Sequence, residues 1–236
     1  MRAGVIGLPD FEFEPVESFS DTKKISEDTT LTACLEVRRT DTTSGVTFQT
    51  GRAALQELGS EEQVRIDQSD NSISVSENAN TVKTKYTEFV LVPNEFVAVS
   101  NGGGTFAFEM IAGQTDAARI SRAKINLDDL VRSYEDDKRP ESAKTWQVGF
   151  YGNSGEAEKG TVYGDGIFSD RELGDVVAKL PKNQIGLIIK SDGEEDINMT
   201  ATESGYVEVY QPSSYDAAEY ADFILNHIIQ HAEQRS

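Results

Sequence analysis

The sequence predicts an α+β fold: antiparallel sheets, drawn as two three-stranded meanders, packed by helices and divided between two halves of related layout. Three observations carry this. Alternating apolar and polar residues recur in short runs bounded by Gly, Pro, Asn and Asp. Stretches with helical spacing or a capping residue are interspersed with those runs. The order strand, helix, several antiparallel strands, helix occurs in both halves, although no residue-level repeat accompanies it and such an order establishes no function.

Residues 1–30 form an expected acidic, extended leader, in which Phe11 and Phe13 alternate with Glu12 and Glu14 and lay two rings on the body. In residues 31–37, Leu31, Ala33, Leu35 and Val37 alternate with Thr32, Cys34 and Glu36, the pattern of a half-buried strand. A short strand at 46–49 leads into residues 51–59, read as a helix stopped by Gly59. Strands at 63–67 and 72–76 flank the turn Ser69-Asp70-Asn71. Phe89-Val90-Leu91-Val92 is apolar on both faces, turns at Pro93-Asn94, returns over 96–99 and, after Asn101-Gly102-Gly103-Gly104, is expected to finish a meander over 105–111. Asn126 is placed to cap a helix with Asp128 and Asp129 in its first turn.

A change of composition separates a first half, 31–138, from a second, 139–236: seven of the eight tyrosines and the single tryptophan lie from Tyr134 onward. The second half reads as strands at 145–151 and 160–163, then a helix over 170–180 with Leu173, Val176, Val177 and Leu180 at helical spacing. Three strands follow, at 185–190, 197–202 and 206–210, turned at Asp192-Gly193 and Ser204-Gly205. A final helix over 215–232, capped by Ser213 or Ser214, presents Ala217, Tyr220, Ala221, Ile224, Leu225 and Ile228 to a sheet.

With 22 Lys and Arg against 41 Asp and Glu in 236 residues, the formal charge is −19. The lone Cys34 excludes an internal disulfide framework and any multi-thiolate metal site. No apolar run approaches the roughly 18 residues of a membrane span, and the chain start turns acidic before a signal-peptide apolar region forms, so a cytoplasmic protein is expected. The acids recur from Glu12 to Glu233. At 1 M ionic strength the Debye length is about 3 Å, so such a coat keeps its hydration without self-repulsion. The expected setting is the cytoplasm of a salt-adapted, archaeal organism. A nucleic-acid mimic would instead gather its acids on one face.

No residue pattern assigns a catalytic group, and no cofactor is expected. In the second half, Tyr206, Glu208 and Tyr210 should share one strand face if Val207 and Val209 face the core; Gly149 and Tyr151 should share a face opposed to Trp146, Val148 and Phe150. Together with Tyr163 these tyrosines form a candidate surface for a protein partner or for self-association; the alternative is that they pack beneath a helix with their hydroxyls bonded. A second candidate function, nucleic-acid association, uses the island Arg119, Arg122, Lys124, Arg132, Lys138, Arg139 and Lys144, neutral overall within a negative chain. Lys159, Gly164 and Gly166 form a candidate anion loop ahead of a helix. Asp165, Asp170, Glu203 and Glu208 are the best carboxylate set for a metal-dependent hydrolase. His227 and His231, at i and i+4, are weak metal candidates that lack a third ligand.

Overall fold

The computed structural model describes residues 1–43, 45–114, 119–134, 142–154, 157–190 and 195–234. Strands β1 (Ala3–Pro9), β2 (Phe19–Lys24), β3 (Thr30–Thr43), β4 (Val46–Asp67), β5 (Ser72–Val92) and β6 (Phe96–Val99) precede helix α1 (Phe106–Ala112). Then come β7 (Ile120–Ile125), α2 (Leu127–Ser133), β8 (Ser142–Ser154), β9 (Ala157–Tyr163), α3 (Arg171–Val177), β10 (Lys182–Lys190), β11 (Ile197–Thr202) and β12 (Tyr206–Gln211). Helix α4 (Ala217–Phe223) continues as a π turn, Ile224–Ile228, and a 3-10 turn, Ile229–His231, before the short β13 (Ala232–Gln234).

All the strands join one open antiparallel sheet, in the order β2-β3-β4-β5-β6-β1-β12-β11-β10-β8-β9, with β7 pairing both β1 and β13. The molecule is therefore mixed α+β, and the sheet runs through both segments that the composition distinguishes. Strand β1, expected as part of the leader, is its centre: Val5–Gly7 pair with β6, Ala3–Val5 with β12 and Gly7–Pro9 with β7. Its apolar run Val5-Ile6 serves both faces, as expected of a strand buried on two sides.

Each face has its own core. On one, Ile6, Val90, Phe96, Leu187, Met199, Val207 and Val209 lie under α4 and its continuation (Tyr220, Phe223, Ile224, Ile228) and under α2 (Leu127, Leu130). On the other, Val5, Leu35, Ala53, Phe89, Leu91, Val97 and Val99 lie under Ala107, Phe108 and Ile111 of α1 and under Phe13 and Val16 of the leader. Each large side chain so buried contributes roughly 1.5–3 kcal/mol. A smaller cluster, Val148, Ile167 and Val177, seats α3 and the 3-10 turn before it.

Several expectations are corrected. Residues 51–59 are strand, not helix. Their helix-forming composition yields to packing, because Ala53 is buried on one face and a Cβ at Gly51 would collide with the Glu36 carbonyl and the Phe89 ring. Residues 105–111 are not a third meander strand. Ala107, Phe108 and Ile111 are buried at helical spacing while Glu109 is exposed, so the segment forms α1. Phe13 packs, but Phe11 points outward because residues 11–18 are irregular and have no strand period. The last helix is capped by Asp216, not by a serine: its carboxylate accepts from Ala218 and Glu219 amides while Glu219 reaches back to the Asp216 amide. The expected Asn126 cap is present, with its side-chain oxygen 3.1 Å from the Asp129 amide. The composition boundary near 138 and the Asp192-Gly193 turn lie outside the described residues.

Candidate interaction face

Hydrogen-bond register sets one row across five strands: Glu208 on β12, Thr200 on β11, Gly186 on β10, Gln147 on β8 and Tyr163 on β9. These residues share a face, and it is opposite the one that α2, α3 and α4 cover, since Val148, Leu187, Met199 and Val207 alternate with them into the cores. Among the described residues no helix lies over this part of the sheet. Next to β1 the same face is closed by Val5, against whose core Tyr206 packs.

Two bulges shape the surface. In β8 the register shifts where Thr145 and Gln147 oppose Leu187 and Gly186, which leaves Trp146 as the extra residue. In β12 the shift between Val209 and Gln211 does the same for Tyr210. The β8 bulge re-aims Trp146 to the uncovered face, where Tyr210 already lies by alternation with Val209: the Trp146 ring stacks on Tyr163 at 6.3 Å and 25° and meets Tyr210 edge-on at 6.4 Å. The expectation that Trp146 would oppose Tyr151, alongside Val148, is thereby corrected. Simple alternation places Trp146 on the core face; one inserted residue reverses it.

The polar groups around the rings are largely ordered by neighbours. Tyr206 donates to Glu208 Oε2 at 3.1 Å, and burial, with that carboxylate close by, raises its phenol to about 12. Tyr210 and Thr200 hydroxyls lie 3.3 Å apart; Tyr151 stands away from these rings, in a hollow lined by Asp128, Pro181 and Lys182, where its hydroxyl reaches Glu203 at 3.5 Å. Burial, then the Glu203 charge, raises the Tyr151 phenol as well. Trp146 Nε1 and Asn198 Oδ1 are buried atoms with no hydrogen-bond partner among the described residues. Tyr163 is 68% exposed, and Tyr151 and Tyr210 are also exposed. The face thus offers a rigid aromatic cluster, with Gln147 and Thr200 buried beneath the rings and Glu208 half-buried at its edge.

The remaining candidates scatter. Arg122 donates to the Ser204 carbonyl, Lys124 pairs with Glu233 at 3.6 Å, Arg132 with Asp129 at 3.6 Å and Lys144 with Asp165 at 3.4 Å. Arg119 is exposed at the start of β7, while Lys138 and Arg139 lie outside the described residues. In the candidate anion loop, the Gly164 and Gly166 amides donate to the Trp146 and Thr145 carbonyls at 3.0 and 3.1 Å, so neither is turned outward; Lys159 lies opposite Tyr151 on β9. Asp170 caps α3, accepting from the Glu172 and Leu173 amides, and its carboxylate partners stand at separate places: Asp165 on Lys144, Glu203 on Tyr151, Glu208 on Tyr206. Among the described residues no three His, Cys, Asp or Glu side chains converge on a metal position. His227 Nδ1 lies 2.9 Å from the Tyr134 hydroxyl, and its ring stacks on Phe223 at 4.9 Å. The π turn changes the angle between His227 and His231 from that of a regular helix. Cys34 is half-buried on β3.

Sequence reasoning missed a second surface, the projecting end of the β4–β5 hairpin. The alternation Val64, Ile66 and Ile73, Val75 was its signal. Comparison with protein-family models, with curated proteins and with solved structures finds no match for this chain.

Proposed function

We infer that the protein is a non-enzymatic interaction module that holds a protein partner against the uncovered sheet face of β12-β11-β10-β8-β9. The observation that carries this is the β8 bulge that brings Trp146 against both Tyr163 and Tyr210 on a face without a covering helix among the described residues. Aromatic groups on a rigid sheet supply contact area at small entropic cost, and aromatic anchors dominate protein interfaces. The acid coat fits a role in solvation: no described Asp or Glu is buried, and carboxylates lie on the leader, the hairpin, the helices and the sheet edges alike. That distribution supports a salt-adapted cytoplasm as the setting.

Site-specific photocrosslinking in the native cell tests the reading. A photoreactive residue in place of Tyr163 should give one discrete protease-sensitive adduct, and Trp146→Ala should abolish it. The same residue in place of Val176 on α3 should give none. Nuclease-sensitive adducts would replace this reading with base stacking on the Trp146–Tyr163 pair, and a ladder identical at both positions would remove it.

A further inference from the structure

We propose that the segment held on the sheet face is basic, and that it lays an arginine guanidinium on the Tyr210 and Trp146 rings with its N–H groups turned to the Glu208 carboxylate; this rests on the reading of that face as a partner surface. Glu208 is what selects the occupant. It stands on β12 between Tyr206 and Tyr210, on the face the rings share, and is already half-buried. Its described partner is the Tyr206 hydroxyl at 3.1 Å, and no described Lys or Arg pairs with it. A partner that covers the rings also covers Glu208. A carboxylate taken out of water with one phenol bond is costly unless a cation arrives with the cover.

Among the described residues this face supplies no spare cation beside the rings. Lys144 and Lys190 lie on it, but Lys144 is engaged by Asp165 at 3.4 Å and Lys190 by Asp196 at 3.2 Å. Lys159 lies with Tyr151, away from the rings. The positive group must therefore come from the partner. An acidic segment, a phosphate backbone or a second copy of this −19 chain would instead bring like charge to Glu208.

The rings reinforce the choice. An aromatic face carries the negative part of its quadrupole and draws a cation, Trp most strongly. Tyr210 meets the indole edge-on at 6.4 Å while its hydroxyl lies 3.3 Å from Thr200, so its ring is fixed between the indole and the Glu208 strand position. Arginine suits this better than lysine. Its guanidinium is planar, less strongly hydrated and forked to match a carboxylate, so one group can stack and pair at once.

Trp146 is the single tryptophan, so its emission and its indole N–H resonance report on the site directly. The probe is an acetylated pentapeptide amide with one arginine among glycines and serines, titrated into the full chain in about 1 M KCl. The same peptide with citrulline keeps the shape and loses the charge. The arginine peptide should shift both signals with a Kd of about 1–10 mM, and the citrulline peptide should bind at least about tenfold more weakly. Glu208→Gln keeps an acceptor for Tyr206 and should weaken the arginine peptide about tenfold, leaving the citrulline peptide unchanged. Glu158→Gln removes the same charge from the opposite face of β9 and should change neither. Equal binding of the two peptides, no binding of either, or equal weakening by the two Gln substitutions each overturns the proposal. The Tyr163 crosslink separates it from the reading beneath: an adduct that survives Glu208→Gln at parent yield keeps the partner and removes the arginine, whereas a parent chain with no adduct removes the partner and the proposal with it.

Discussion

Trp146 rests against Gly186 so closely that a Cβ at Gly186 would stand 2.5 Å from the indole Cε2. The glycine on β10 is therefore the seat of the ring, and the bulge in β8 delivers the ring to it. Gly186→Val should drive the indole off the sheet, lower stability by about 1–3 kcal/mol and shift the emission of the single tryptophan to the red. An unchanged spectrum would mean that the ring is not seated there.

Tyr220 is fully buried in α4, and its hydroxyl donates to the Val207 carbonyl at 3.0 Å, tying helix to sheet across the core. Tyr220→Phe keeps the ring and loses the bond, at about 1 kcal/mol. Tyr220→Leu also leaves a void, and should cost about 3 kcal/mol or more. Urea melts of the two variants should rank in that order.

Lys182 has a side chain only 2% exposed, yet its ammonium is well held: Asp128 Oδ1 at 2.5 Å, the Leu180 carbonyl at 3.2 Å, the Ala178 carbonyl at 3.4 Å and the Phe168 ring centre at 5.7 Å. Asp128 is 44% exposed, which lessens the energy of the pair. Asp128→Asn leaves a buried charge with neutral acceptors and should cost about 1–3 kcal/mol, while Lys182→Met removes the charge itself and should cost less. The reverse ranking in thermal melts would count against a buried ion pair.

Alkaline stability follows from Tyr206. Its folded pKa, about 12, stands above the ordinary 10.0, so the folded state holds the phenol proton more tightly than the unfolded state. The contribution is complete below pH 10 and is lost as pH rises through about 12. Tyr220 shifts in the same direction through burial. Denaturant midpoints should fall over that window, and Tyr206→Phe should flatten the fall; equal slopes in the two proteins would exclude Tyr206 as its source.

Where one residue's neighbours in sequence decide its structure, the elements were legible. Asn126 before Leu127-Asp128-Asp129 is such a case, as are the Ser69-Asp70-Asn71 tip and the alternation in Tyr206-Val207-Glu208-Val209-Tyr210 that puts Tyr206 and Glu208 together on one face. Residues 51–59 and 105–111 were not legible, because each run suits both helix and strand and only its neighbours choose: Phe89 and Glu36 crowd Gly51 into a sheet, while Ala107 and Ile111 meet the core under the sheet. The candidate face was half legible. Tyr206, Glu208 and Tyr210 share a face by alternation, but the bulge that recruits Trp146 is a relation between β8 and β10 that neither strand's own sequence expresses.

The chain alone determined its charge, its lack of thiol pairs, its antiparallel strand content and the amphipathic final helix, since these depend on composition and on periods of a few residues. The tertiary structure decided that Ala3–Pro9 is the central strand, that one sheet runs through the chain on both sides of the change in composition, and that β4 and β5 extend as a bare ribbon. Those are choices of partner between distant segments. Strand pairing is made by backbone groups that every residue carries, so register and order emerge only when the whole set of faces is buried at once.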